Sequence, residues 1–310
     1  MSKVLAVFGA TGRQGAALID YVLNDPELSS KYTIRAIARD VDSEKSKQLN
    51  AKVEVVPGDV TDRASLEKAL TGANFVFSMT TPSFAPNALE VEYNIGKTIA
   101  DVAVEKGVEY IIFSTLPPTS QISGGKYTLV APFDAKAKVE EYIRGLPIKS
   151  AFYSPGFFMD NFVAQPFLSP RKESDGTWAL VRHISGKTRL PYIDAVKNTG
   201  NFVGAILAEP EKYAGKTFCA AQAHYTLEEQ AALISKTTGK TVVYKQVSAE
   251  EFKNSLPVMA ELFTEAFTAL EEFGYWGPGS EKLVAWAIEN SRGALTTLEE
   301  YFQENPLQLA

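Results

Sequence analysis

One cysteine and two histidines are all that 310 residues offer in the way of thiols and imidazoles. A lone Cys219 excludes internal disulfides and any zinc site built on several thiolates. His183 and His224 carry no metal-ligand spacing, so no metal is expected. Long apolar runs are also missing. Stretches such as 110–113 fall far short of the roughly 18 residues that a membrane span needs. The N-terminal MSKVLAVFGATG has neither a basic leader nor a cleavage site, so no secretory signal is expected. The expected location is the cytoplasm, or the nucleus if the role is regulatory. Basic residues are not in excess: 31 Lys and Arg stand against 37 Asp and Glu, for a net charge of −6. Duplex nucleic acid is therefore not expected as a direct partner, because phosphate contacts need clustered cations. At 45% hydrophobic and 22% charged residues, the composition is that of a folded globular chain.

The sequence does contain an alternation of strands and helices. Apolar runs at 4–8, 33–38, 52–56, 75–79 and 110–114 read as strands. Between them, 16–23, 43–49, 65–70 and 88–105 have helical periodicity, and Gly72 and Gly107 stop the last two. A helix at 133–145 and a sixth strand at 148–153 follow. Strands linked by helical crossovers imply a doubly wound parallel sheet. The expected class is α/β, a Rossmann-type domain over 1–155 with a smaller mixed α/β lobe over 156–310, for substrate or partner, folded back onto it, with some of its segments returning to the first domain. In that lobe, helices are expected at 199–208 and 226–239, a strand at 241–247, and a long amphipathic helix at 252–273. Thr226, Ser248 and Thr297 each precede a Glu by three residues, the pattern of a capping box. The 252–273 stretch, with interleaved glutamates, reads as a lid over a substrate cleft with a solvated acidic face or, alternatively, as a protein-partner surface.

Gly9-Ala-Thr11-Gly12-Arg13-Gln14-Gly15 lies directly after the first strand and before the first helix. In that context a glycine loop binds a dinucleotide. The first glycine makes the tight turn, the second admits the pyrophosphate, and the third lets helix and sheet close up. The helix N-terminus then offers unpaired N–H groups to phosphate oxygens. The spacing is GxxGxxG, not the GxGxxG of the standard dehydrogenase fingerprint. Cofactor choice rests on the end of the second strand, where an acid selects NAD and an arginine accommodates the 2′-phosphate of NADP. Arg39 stands there, with Lys45 and Lys47 beyond it, so NADP(H) is expected, with Arg13 as a second guanidinium. Asp59, after the third strand, is either an acceptor for the adenine amino group or a local turn residue. Thr80, in Ser78-Met-Thr-Thr-Pro82, is expected in the wall past which the nicotinamide ribose would lie.

These residues, together with GDVTD at 58–62, FSTLPP at 113–118, PFDAKAKVEEYIR at 132–144 and SPGFFMDNF at 154–162, resemble the NmrA-like group of atypical short-chain dehydrogenase/reductases. The resemblance spans nearly the whole chain. It implies a Rossmann domain with NADP(H) in a cleft beneath a smaller lobe. It also implies one of two roles. The first is an NADPH-dependent oxidoreductase acting on a small aromatic or apolar molecule. The alternative is a non-catalytic redox sensor that binds NADP(H) and regulates a protein partner. The superfamily's Tyr-x-x-x-Lys pair is incomplete: with Lys136 as its lysine, the tyrosine position is Pro132, which has no proton to donate. Lys136 is then the candidate acid/base, or a hydrogen-bond donor to the cofactor ribose. By the same resemblance, Ser114, Thr115 and Phe157 would face the substrate. Tyr153, Pro155 and Phe158 would flank the nicotinamide. Tyr127 is a candidate substitute acid, Cys219 a small buried side chain and His183 a polar loop residue. An open apolar cavity at the reacting end would favour an enzyme, and a plugged one a sensor.

Overall fold

The computed structural model describes residues 2–83 and 87–309. Six parallel strands come from the first half: β1 (Lys3–Val7), β2 (Tyr32–Ala38), β3 (Glu54–Pro57), β4 (Phe75–Ser78), β5 (Tyr110–Ser114) and β6 (Lys149–Pro155). They lie side by side in the order 3-2-1-4-5-6, the doubly wound arrangement that leaves a ligand crevice at the carboxyl ends of the strands. Strands buried on both faces read as continuous apolar runs, and β4 and β5 are buried at every position.

The second half completes this sheet. β7 (Phe157–Phe158), β8 (Arg171–Lys172), β9 (Trp178–Arg182) and β10 (Arg189–Ile193) lie outside it, but β11 (Thr217–Ala220) pairs in parallel with β6 as a seventh strand. At four residues, β11 is too short to show periodicity and was not expected. β12 (Ala223–Thr226) joins β10 and β7 in one small mixed sheet, and β13 (Val242–Gln246) joins β9 and β8 in another.

Two close helix contacts cover the main sheet. On one face, helix Arg13–Asn24 meets helix Ala195–Ala208, with Tyr21 lying over Gly200 and Gly204. A Cβ on Gly200 would come within 2.2 Å of Tyr21 Cβ, so only glycine allows this approach. The contact buries Leu18, Val22, Phe202 and Ile206, each worth roughly 1.5–3 kcal/mol when fully removed from water. On the other face, helix Ala88–Glu105 meets helix Ala131–Arg144 at Gly96. A Cβ there would lie 2.5 Å from Val139 Cγ2.

Two expectations about helices need correction. The 252–273 stretch is not one helix but two, Ala249–Ser255 and Ala260–Phe273. Pro257 forces Leu256 into extended backbone, and Met259 turns the chain with φ of 50°. A short helix, Pro26–Lys31, went unread because Asp25 caps it within a segment that looks like a turn. Complete capping boxes form at Thr226 and Thr297, whereas Ser248 only accepts from Glu251 N.

Candidate functional site

The glycine loop ends β1 at the crevice. Gly9 has φ of 61°, and its carbonyl accepts from Gly12 N at 2.8 Å. A Cβ on Gly15 would lie 2.3 Å from that same carbonyl oxygen. Gly12 caps helix Arg13–Asn24 with no side chain, and no acid stands in the first turn. The first-turn N–H groups therefore have no intrahelical partner, and the dipole end is uncompensated. A dinucleotide pyrophosphate fits such a cradle. Alongside it, Thr11, Ala16, Lys45 and Gln48 line an open groove of about 380 Å³.

Arg39 is exposed at the end of β2 and, among the described residues, pairs with no carboxylate. The neighbouring Asp40 turns its carboxylate back to accept from Asp42 N at 2.9 Å. Lys45 and Lys47 are exposed as well. Arg13 departs from expectation: its Nε is ion-paired with Asp160, which the sequence reading did not single out. Burial pushes the Asp160 carboxyl up even though Arg13 favours its charge, and Asp160 Oδ1 is buried with no partner. Gln14 Oε1 is likewise buried and unpartnered. Asp59 is exposed and accepts from both Thr61 N (2.8 Å) and Thr61 Oγ1 (2.7 Å). Those bonds hold its carboxyl below the usual range, so here Asp59 makes a local turn.

The Gly96–Val139 contact also produces the central pair of the crevice. One turn before Gly96 stands Glu92, and three residues before Val139 stands Lys136, so the two meet. Lys136 Nζ donates to Glu92 Oε1, with Lys136 7% and Glu92 1% exposed. Thr80 Oγ1 donates to the same oxygen at 2.6 Å. Loss of solvation lowers the lysine's pKa, against the opposing pull of Glu92. Glu92 was missed in the sequence. The available signal was its place on the buried stripe with Gly96, Ile99, Ala100 and Ala103, where a carboxylate must have a partner.

The structure brings Thr80, Thr115 and Lys136 together at the ends of β4 and β5. Thr115 Oγ1 lies 3.4 Å from the Lys136 carbonyl, and Ser114 is buried beside it. Tyr153 is a different case. It is fully buried on the opposite face, packs on Phe202 and has its hydroxyl 3.1 Å from Thr199 Oγ1, which leaves no face for a cofactor. Pro155 is buried, and its carbonyl accepts from Tyr275 OH.

Phe157 sits under helix Ala260–Phe273, its ring stacked on Phe267 at 6.0 Å and tilted against Tyr275 at 5.3 Å. Two cavities flank it. One, toward Phe133 and Tyr275, holds about 30 Å³. The other, bordered by Phe158, holds about 20 Å³. Each has room for about one water molecule. The helix covers them as a clasped lid, and its acids are not simply solvated. Glu265 accepts from Leu129 N, Glu271 from Ser185 N, and Glu272 from Lys126 Nζ and Tyr127 OH. Tyr127 is thus part of the clasp, and His183, half-buried, contacts Thr268 on the lid. Cys219 is buried as expected, and burial pushes its thiol up to about 12.

The NmrA-like family model matches residues 1–302. An NmrA-like family domain-containing protein of Dictyostelium discoideum is 29% identical, covering 98% of each chain. An NmrA-like family domain-containing oxidoreductase, FrzB, of Cladobotryum is 28% identical over 90% of this chain and 87% of its own. Among solved structures, NmrA, described as a negative transcriptional regulator and solved with NADP, superposes with a TM-score of 0.80. It is 24% identical and covers 99% of this chain and 98% of its own.

Proposed function

The chain belongs to the NmrA-like family, and from that premise we propose that it binds NADP(H) at the glycine loop and reports the bound cofactor to a protein partner. In this reading Gly9, Thr11, Gly12, Gln14 and Gly15 hold the pyrophosphate, and Arg39 takes the 2′-phosphate. Thr80, Lys136, Pro155 and Phe158 serve the nicotinamide half. The 156–310 lobe carries the partner surface, and the protein works in the cytoplasm or nucleus. A relative's structure with NADP supports the cofactor, and its description as a transcriptional regulator supports the role.

The observation that carries the choice is the closure at Phe157. The two cavities there cannot hold an aromatic substrate, and the Lys136 ammonium is turned to Glu92. Titration by fluorescence should give NADP(H) at least about tenfold tighter binding than NAD(H), or ~1.4 kcal/mol. Amide exchange over 260–273 should differ between NADP⁺ and NADPH, with no NADPH consumed against a panel of aromatic ketones, quinones and enones. Steady consumption with any of them would overturn the sensor reading.

The oxidoreductase reading has its own observation. A buried lysine with a lowered pKa beside a carboxylate is a group poised to pass a proton, and an oxidoreductase stands among the relatives. The nicotinamide exchanges hydride when bound, while Lys136 and Glu92 hold and return the proton. Lys136→Ala would then cut turnover roughly 10²–10⁴-fold with affinity kept within a few-fold.

A further inference from the structure

Two cations are buried among the described residues, Lys136 and Arg182. Lys136 has Glu92. Arg182, on β9 and 4% exposed, pairs with no carboxylate among the described residues. Its Nη1 donates to Val181 O at 2.7 Å and its Nη2 to Leu168 O at 2.6 Å, but Nε is buried with no partner. The rings of Phe267 (5.3 Å) and Phe252 (5.9 Å) lie across the guanidinium. Burial lowers its pKa to about 10, which still leaves it protonated at neutral pH. Two carbonyl dipoles and two ring faces are a thin exchange for lost water, and a buried charge ordinarily requires a counter-charge. Beside it lies the cavity of about 20 Å³, walled by Phe157, Phe162, Tyr192 and Phe267 and lined by Arg182 itself.

We infer that this cavity is a binding site for one compact monovalent anion, with Arg182 as its counter-charge and the aromatic walls excluding larger or doubly charged ions. The volume, room for about one water molecule, matches a chloride, and a bromide, a nitrate or the head group of a carboxylate enters with a small movement of the walls, while the apolar walls make a dianion costly to desolvate. Two sources share this chemistry. One is a free anion from solution. The other is the carboxylate of an aromatic molecule whose ring displaces Phe157 when the lid lifts. The site does not depend on whether the protein is a sensor or an enzyme.

The test is thermal unfolding of the full chain at constant ionic strength, with isethionate exchanged stepwise for chloride, bromide, nitrate or formate. Binding to the folded state alone raises the midpoint with a saturating dependence, by about 3 °C or more at high occupancy. Bromide soaked into crystals should give an anomalous peak beside Arg182 Nε. Arg182→Met should abolish both the halide response and the peak. It should also raise the midpoint in isethionate, since it removes an uncompensated charge. If this variant does not fold, the bromide peak in the wild-type protein decides. Benzoate compared with benzamide separates the two sources: a benzoate shift larger than that of formate assigns the carboxylate of a ring-bearing molecule, and an equal one the free anion. No monovalent-specific shift together with no bromide peak would overturn the inference, leaving Arg182 as a tie to the Leu168 carbonyl.

Discussion

At the glycine-loop end of the crevice, a groove of about 380 Å³ stands open, Arg39 is exposed with no salt bridge among the described residues, and the first-turn N–H groups of helix Arg13–Asn24 have no intrahelical partner. At the Phe157 end, the cavities hold about 30 and 20 Å³, and the lid is tied down through Glu265, Glu271 and Glu272. The first region is preorganised for a charged ligand, so little has to be rearranged when it binds. The second must break contacts before anything the size of an aromatic ring can enter. Affinity at the glycine loop and access to the Phe157 end are thus held by different residues, and substitutions can move one without the other.

The sharpest break in that comparison comes from two glycines in the same loop. A Cβ at Gly15 would meet the Gly9 backbone at 2.3 Å, whereas at Gly12 it meets only the Gly9 carbonyl oxygen at 3.2 Å. Gly15→Val should therefore damage the fold by about 3 kcal/mol or more, seen as a fall of at least about 6 °C in Tm. Gly12→Val should leave Tm within a few degrees but weaken NADPH at least about 100-fold, or ~2.7 kcal/mol, because its methyls fill the pyrophosphate's place. Unchanged NADPH affinity in Gly12→Val would show that the phosphates lie elsewhere.

Gly96 tests the middle of the crevice. Gly96→Leu should push helices Ala88–Glu105 and Ala131–Arg144 apart at Val139 and pull Glu92 from Lys136. Overpacking and a disrupted buried pair together should cost about 2–4 kcal/mol in chemical denaturation. A loss below about 1 kcal/mol would mean that the helices do not need glycine for their approach.

The same comparison explains what could be read from the sequence. The glycine loop, Arg39 and the six strands of the first half were legible because each is a local pattern: a spacing, a strand end, a periodic run. The Phe157 end is built from long-range contacts, so its residues carry no spacing to read. Glu92 meets Lys136 only because Gly96 lets two crossover helices touch, 44 residues apart in sequence at the pair. Asp160 meets Arg13, and Arg182 stands without a carboxylate among the described residues, for reasons visible only in the fold. Tyr153 misleads in the opposite direction: it stands just before the 154–162 motif, yet it faces the Phe202 core. Asp59, whose segment left two readings open, makes the local turn.

Arg39 sharpens the open end. With Asp40 occupied by Asp42 N, Arg39→Gln should reduce the preference for NADPH over NADH to near parity, a loss of about tenfold in NADPH affinity, or ~1.4 kcal/mol. NADH affinity should stay within about twofold. The wild-type preference should also shrink as salt rises, since a surface phosphate contact is screened. A variant that keeps the preference would move the 2′-phosphate to Lys45 or Lys47.

The smallest expected effect is the most informative about access. Glu272 receives Lys126 Nζ and Tyr127 OH across the seam between the 119–131 segment and the lid, at 2.6 and 2.7 Å. Both sides of the ion pair are substantially exposed, at 54% for Lys126 and 40% for Glu272, so its contribution to global stability is small, about 0.2–1 kcal/mol. Local opening of the lid feels that same energy directly. Glu272→Ala should raise amide exchange over 260–273 by roughly two- to fivefold while Tm moves by no more than about 2 °C. NADPH affinity should not change, because the glycine loop lies at the other end of the crevice. If NADPH oxidation by an aromatic ketone, quinone or enone appears in this variant and not in the wild type, the closed lid is a gate on turnover and the oxidoreductase reading gains. If exchange rises and no oxidation appears, closure is not what withholds the reaction, and the sensor reading stands on the chemistry of Lys136 and Glu92 themselves.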